Sequence, residues 1–237
     1  MRAPSFLLFV VTLSAAAGDR VGGSLGITSD YRFDGLSQSN SEPAVQGELH
    51  FRSNPDGRST WFTGIWASTV QLGDEQPRSV QLQAFLGRGW AFDSDWQGKL
   101  SVAHYVHPWN ALLRRYNYDE FAAEIGFRDL GALTVTYSPN TDLYSRRVFA
   151  ENKASMAYEL SGRVPIGRAF SAFAGAGYRD LQRLFQTGYW YGSFGVGYDG
   201  ARLHASFMRV ETDHTAQRLF YGDGARPAWL GTLLWTY

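Results

Sequence analysis

Residues Ser41–Ser53 read SEPAVQGELHFRS, and from Val45 to Arg52 the side chains alternate without a break. Val45, Gly47, Leu49 and Phe51 fall on one side, Gln46, Glu48, His50 and Arg52 on the other. Period two is the signature of a strand with one apolar and one polar face, because successive side chains leave a pleated backbone in opposite directions. The preceding segment repeats it. In Val21–Gly35 one side carries Val21, Leu25, Ile27, Tyr31 and Phe33, the other Ser24, Thr28, Asp30, Arg32 and Asp34.

The same pattern recurs down the chain, punctuated by Gly, Pro, Asn and Asp turns. Strands are expected at Thr60–Leu72, Ser79–Phe92, Trp96–His107, Tyr118–Arg128, Leu133–Tyr137, Ala154–Val164, Phe170–Tyr178, Trp190–Tyr198, Leu203–Phe207 and Trp229–Tyr237. In the first of these, Phe62, Trp66 and Val70 read as the apolar face against Thr63, Thr69 and Gln71, with Trp61 and Ile65 blurring the assignment. The total is about twelve. Connections alternate in length: Asn54–Ser59, Asp93–Asp95, Asp129–Gly131, Pro165–Arg168 and Asp199–Gly200 are short, with Asn54-Pro55-Asp56-Gly57 a strong turn. Leu36–Asn40, Gly73–Arg78, Pro108–Asn117, Ser138–Lys153, Asp180–Gln186 and Glu211–Arg226 form the longer set. Short turns at one rim and longer loops at the other predict an all-β, transmembrane, antiparallel up-and-down β-barrel with both termini periplasmic.

A soluble barrel or sandwich would share the periodicity with its apolar faces turned inward. Three features favour the membrane. The apolar faces are nearly free of charge across their middles, as lipid requires. Trp90, Phe92, Trp96, Phe127, Tyr198, Trp229 and Tyr237 collect near strand ends, where interfacial girdles belong. The last strand sets Trp229, Leu233, Trp235 and Tyr237 on one face, the kind of ending by which such proteins engage the outer-membrane assembly machinery. Arg88 and Arg209 fall on nominal lipid faces, which calls for a bulge or a rim position where they snorkel.

Composition agrees. The 237 residues suit one barrel domain, and 22 Lys plus Arg against 22 Asp plus Glu leave no net charge to attract nucleic acid. There is no cysteine, hence no disulfide or thiolate metal site. Arg2, the apolar run Phe6–Val11 and Ala15–Ala17 predict a signal peptide cut after Ala17, giving residues 1–17 as leader and 18–237 as the barrel. That run is well below the ~18 residues a membrane-spanning helix needs.

Gly23–Asn40 (GSLGITSDYRFDGLSQSN), followed by Pro43–Gly47 (PAVQG) and Phe62–Ser68 (FTGIWAS), resembles the TorF porin family, also catalogued as a conserved hypothetical outer-membrane family. The most specific part is Thr28–Phe33 with Gly35, Ser37 and Gln38; beyond the first seventy residues or so the agreement is in length and architecture. The resemblance implies a small outer-membrane barrel acting as a pore, and brings no catalytic residues.

The expected function is therefore passive diffusion of small hydrophilic solutes or ions, with outer-membrane lipids and lipopolysaccharide as surroundings and no cofactor. The inward faces assign Asp30, Arg32, Asp34, Glu48, His50, Arg52, Lys99, Glu124, Arg128, Glu159, Arg163, Arg179 and His204 to the lumen. These line a hydrated passage, or pair across strands and plug it; their mixed signs argue against strong selectivity. A non-conducting structural or adhesive barrel is the alternative. A lipid-modifying hydrolase using His204 and Ser206 is a third, weakened because the nearest acid, Glu211, has the wrong parity. His104 and His107 differ in parity and make a poor metal pair.

Overall fold

Alternation at this scale demands a sheet whose two faces meet different environments. The computed structural model describes residues 20–53, 59–73, 76–145, 152–220 and 223–237; the expected signal peptide, the turn at 54–57 and residues 146–151 of the expected Ser138–Lys153 loop lie outside them. The strands are β1 (Arg20–Thr28), β2 (Arg32–Phe33), β3 (Leu36–Ser37), β4 (Ala44–Ser53), β5 (Ser59–Val70), β6 (Ser79–Ala91), β7 (Trp96–Val106), β8 (Tyr118–Phe127), β9 (Gly131–Thr141), β10 (Lys153–Pro165), β11 (Phe170–Leu181), β12 (Thr187–Asp199), β13 (Leu203–Thr212) and β14 (Ala228–Thr236). A 3-10 helix (Ala111–Tyr116) and two short helices, α1 (Gln182–Phe185) and α2 (His214–Leu219), sit in the longer connections. Asp213 caps α2 by accepting from the Ala216 backbone N–H.

Twelve of the strands, β1 and β4 to β14, form a closed antiparallel barrel in chain order, and β2–β3 form a separate hairpin. Closure runs from Ser24–Thr28 of β1 against Thr232–Thr236 of β14. Both ends of the described chain, Arg20 and Tyr237, lie at the rim of the short turns. The strand count and alternation of loops follow the expectation. Several boundaries do not: β9 runs on to Thr141, β11 to Leu181 and β13 to Thr212, so the long-loop rim is taller than the turn residues suggest.

Outward faces carry exposed apolar residues in every barrel strand, among them Leu25, Leu49, Ile65, Leu86, Leu100, Phe121, Leu133, Leu160, Phe194, Phe207 and Leu233. No helix among the described residues is long and apolar enough to cross a membrane. The closed barrel, with its backbone groups paired strand to strand and its outer face apolar, is the element suited to lipid. Aromatic pairs mark both rims: Trp96 against Phe127 at 4.9 Å and Phe170 against Tyr198 at 5.3 Å near the short turns, Tyr178 against Trp190 at 5.0 Å near the long loops.

Arg88 and Arg209 resolve as rim residues. The Arg88 guanidinium lies between Trp61 and Trp90, 5.1 and 5.3 Å from their ring centres, three residues from the short-turn end of β6. Arg209 lies over Trp229 at 5.7 Å and donates to Glu211 at 2.6 Å near the other rim. Register is regular at both, so snorkelling rather than a bulge accommodates them.

Within the barrel wall one face assignment is reversed, and Tyr31 and Phe33, read on the lipid side of the first segment, lie inside the barrel. Phe62, Trp66 and Val70 are buried inside the barrel, whereas Trp61 and Ile65 are the outward residues of β5. The rule that the apolar face meets lipid fails at β5 because the lumen beside it is itself apolar.

Leu86 stands mid-strand on the lipid face. Leu86→Arg is expected to lower stability by ~2–4 kcal/mol, and Val21→Arg, at the rim, by only ~0–1 kcal/mol, as read from refolding titrations in lipid vesicles.

Candidate functional site: a plugged lumen

The segment between β1 and β4 does not continue the wall. Thr28 Oγ1 donates to the Asp30 carbonyl at 2.9 Å and β1 ends there, so Asp30, Arg32 and Asp34, expected on its inward face, instead lie on a segment turned into the barrel. The reversal at its tip is Asp34-Gly35, both at positive φ (48° and 81°), the two-residue type I′ pattern joining Phe33 to Leu36. A Cβ at Gly35 would lie 2.7 Å from Thr212 Cγ2 and 2.8 Å from Tyr191 Cβ, so wall and backbone alike exclude a side chain.

Residues 29–43 are held from several sides. Tyr31 donates its hydroxyl proton to Gln81 Oε1 at 3.1 Å on β6. Arg179 of β11 donates to Asp34 Oδ2 at 2.8 Å and to Ser155 Oγ at 2.9 Å, while Tyr189 of β12 donates to the Asp34 carbonyl at 3.1 Å. Arg32 pairs with Asp30 at 2.7 Å and donates to the Arg226 carbonyl at 2.7 Å. Backbone bonds from Ser37 N–H to Gly224 and from Gln71 N–H to Gln38, each 2.8 Å, tie the plug to two loops.

Apolar contacts complete the seal. Tyr31 meets Trp66 edge-on at 5.3 Å, Phe33 meets Tyr105 at 6.2 Å, and Tyr105 stacks on Tyr118 at 4.3 Å. Opposite, Leu36 joins Leu181, Phe185, Tyr189, Leu219 and Phe220 in a second cluster. The reversed face of β5 thus has its cause: Phe62 and Trp66 belong to the core that seats the plug. A cleft of about 80 Å³ remains between plug and wall, bordered by Phe33, Asp34, Gln81, His107, Tyr118 and Arg179.

Toward the short turns the lumen is polar and partly solvated. Glu48 Oε1 lies 2.6 Å from His50 Nδ1, and Lys99 Nζ lies 2.9 Å from Glu124 Oε2. Arg163 pairs with Asp199, which also meets His204 Nδ1 at 2.9 Å. Arg52 is inward and partly buried on β4. Glu159 accepts from the Tyr191 hydroxyl at 3.1 Å. Arg128 does not line the lumen: it leaves the strand at φ 51° and pairs with Asp95 at the short-turn rim, 3.0 Å apart and half exposed. Hydrogen bonding to that guanidinium holds the Asp95 carboxyl below the usual carboxylate range.

The alternation does not single out Glu120, an inward and buried residue of β8, and it presents Asp199 only as part of a turn. It also missed the plug, although Asp34-Gly35 is a hairpin signal. Of the hydrolase candidates, His204 faces Asp199 rather than Glu211, and Thr236 Oγ1 rather than Ser206 lies at its Nε2, 3.5 Å away. His104 points outward to Asp119 at 2.7 Å, and His107 inward, with its Nε2 3.4 Å from Gln81 Nε2.

An apolar outer band between aromatic rims, around a closed barrel whose lumen is charged toward the short turns, defines a bacterial outer-membrane β-barrel. Solved structures of similar fold include the NanC porin (TM-score 0.55, 8% identity, 92% of this chain and 98% of that one) and the CymD monoaromatic hydrocarbon channel (TM-score 0.51, 10% identity, 93% and 88%). At such identity the likeness is one of fold. Residues 13–232 match the bacterial family of unknown function designated Gcw_chp, and the chain belongs to that family. The TorF name, and the pore it implies, are not part of that match. No curated protein matches the sequence.

Burial holds the His107 imidazole below its ordinary range, partly offset by its bond to Asn117. The unfolded chain therefore takes up the proton first as pH falls below about 6.5, and the stability contribution is lost down through the lowered value. Amide exchange in residues 31–39, corrected for intrinsic rates, should speed up on acidification in the native protein and less so in His107→Gln. Equal acceleration in both would assign the effect elsewhere.

Proposed function

We propose that this barrel is a porin-like channel for passive diffusion of small hydrophilic solutes or ions, held closed by residues 29–43. The observation that carries the reading is the origin of the closure. The long-loop half is filled by a separate hairpin, while the short-turn half keeps charged walls that solvent reaches, with Glu48, His50, Arg163 and Asp199 side chains 13–16% exposed. A segment that fills a lumen without belonging to its wall is free to leave without breaking the barrel ladder.

The polar latch suits such movement. Asp34 and Arg179 are almost fully enclosed, with side chains 6% and 3% exposed. For a buried pair, desolvation nearly offsets the attraction, so the intact latch adds little net stability, whereas removing one partner costs about 3–5 kcal/mol. In this reading the outer bands meet outer-membrane lipids and lipopolysaccharide, the long loops face outside, and the C-terminal strand serves assembly. It assigns no catalysis to the barrel.

The second reading, a non-conducting structural or adhesive barrel, is favoured by the aromatic seat of the plug, since Tyr31 and Phe33 pack on Trp66 and Tyr105. Planar-bilayer recordings of refolded protein separate the two. The channel reading expects brief, rare openings in the native protein and frequent ones in Asp34→Asn, which strands Arg179. The double variant Asp34→Asn/Arg179→Gln should return toward native behaviour. A silent bilayer for all three, over many insertions, would leave the structural reading standing.

A further inference from the structure

Four of the inward cations pair with an acid, Arg32 with Asp30, Arg179 with Asp34, Lys99 with Glu124 and Arg163 with Asp199, and Glu48 meets His50. Two further inward carboxylates, Glu159 and Glu120, form no ion pair among the described residues. Glu159 accepts one hydrogen bond from Tyr191, and the charges acting on it are other carboxylates, Asp34 and Glu124. Glu120 is 4% exposed, and its Oε2 is enclosed with no hydrogen-bond partner among the described residues.

The neighbourhood of Glu120 is built from its register. Ala103 stands opposite on β7 and offers nothing polar. On the other side Phe121 pairs with Tyr137, which puts Glu120 beside Ser138, the next inward residue of β9. Ser138 is completely buried, and its Oγ also has no partner among the described residues. Beyond it, Ser155 on β10 takes a hydrogen bond from Arg179, whose charge reaches Glu120 as well as Asp34. The stacked rings of Tyr105 and Tyr118 lie on the same inward faces, one position nearer the long loops. An enclosed carboxylate and an enclosed hydroxyl, side by side and both unpartnered, are rare in folded proteins because each loses its water without replacement.

We propose that Glu120 and Ser138 form a seat for a small monovalent cation, and that Glu159 provides a second step, making the pore cation-selective. Glu159 and Glu124 both pair with Thr134, and Glu124 lies four residues, about 13 Å, along β8 from Glu120 at strand rise. The ion replaces the missing partner of both unpartnered atoms. The mixed signs of the lumen do not oppose this, since paired charges largely cancel and the unpaired carboxylates set the local field. The inference rests on the channel reading for its selectivity and on geometry alone for the seat.

Two measurements test it. Reversal potentials in a KCl gradient, recorded with Asp34→Asn as the open background, should show preference for K⁺ over Cl⁻. Glu120→Gln and Glu159→Gln should each lower that preference about twofold, and together bring it near unity. Conduction with a ratio unmoved by the double substitution overturns the selectivity while leaving the channel intact; absence of conduction overturns the channel. Independently of conduction, crystals of the full barrel soaked in RbCl should show anomalous density between Glu120 and Ser138 that Glu120→Gln abolishes. An empty seat in the native protein would mean that a proton, not a cation, satisfies Glu120, and would overturn the site.

Discussion

Backbone closure is the constraint on which everything else in this molecule depends. Lipid offers no partner to an N–H or C=O, and each unsatisfied group there costs several kcal/mol, so a sheet can cross only if its first and last strands find each other. Here Ser24–Thr28 of β1 meets Thr232–Thr236 of β14. Once the ladder is closed, every strand has one face in hydrocarbon and one in the lumen, and the side chains follow. Arg88 and Arg209 show how narrow the tolerance is, since each outward guanidinium lies near a rim with aromatic faces beside it.

Closing twelve strands creates a second problem, because wall side chains do not fill so wide an interior. Part of the answer is water, which reaches the charged half near the short turns. The rest is the β2–β3 hairpin, which brings its own aromatic residues and requires matching ones on the wall. Tyr31 needs Trp66, and Phe33 needs Tyr105. A lumen that seats a plug is lined partly like a protein core, so its inward faces stop being uniformly polar.

That exception marks the limit of what could be read from the sequence. Where inside and outside differ in polarity, as at Leu49 against His50, period two identifies both the strand and its orientation. At Phe62, Trp66 and Val70 both environments are apolar, and polarity carries no information about direction. The reversal at Asp34-Gly35 left a local signal, but the alternation of Tyr31, Arg32 and Phe33 reads through it as strand. Alternation reports side-chain chemistry, not whether the backbone belongs to the wall. Glu120 escaped notice for a related reason: what distinguishes it is the absence of a partner, a property of neighbouring strands rather than of position in the chain.

In the channel reading, closure and ion preference meet at one guanidinium. Arg179 donates to Asp34 on the plug and to Ser155 on the wall, and its field also falls on Glu120. Displacing the plug removes a carboxylate from one side of Arg179 while leaving Glu120 in place on the other. The field at the proposed cation seat therefore changes as the lumen opens. A substitution at Arg179 would alter the latch and the seat together, so its effect on conduction could not be divided between them. Asp34 belongs to the plug, whereas Glu120 belongs to the wall. The charge of Asp34 acts on Glu120 and Glu159 too, so Glu120, which makes no contact with the latch, is the position at which selectivity changes without closure.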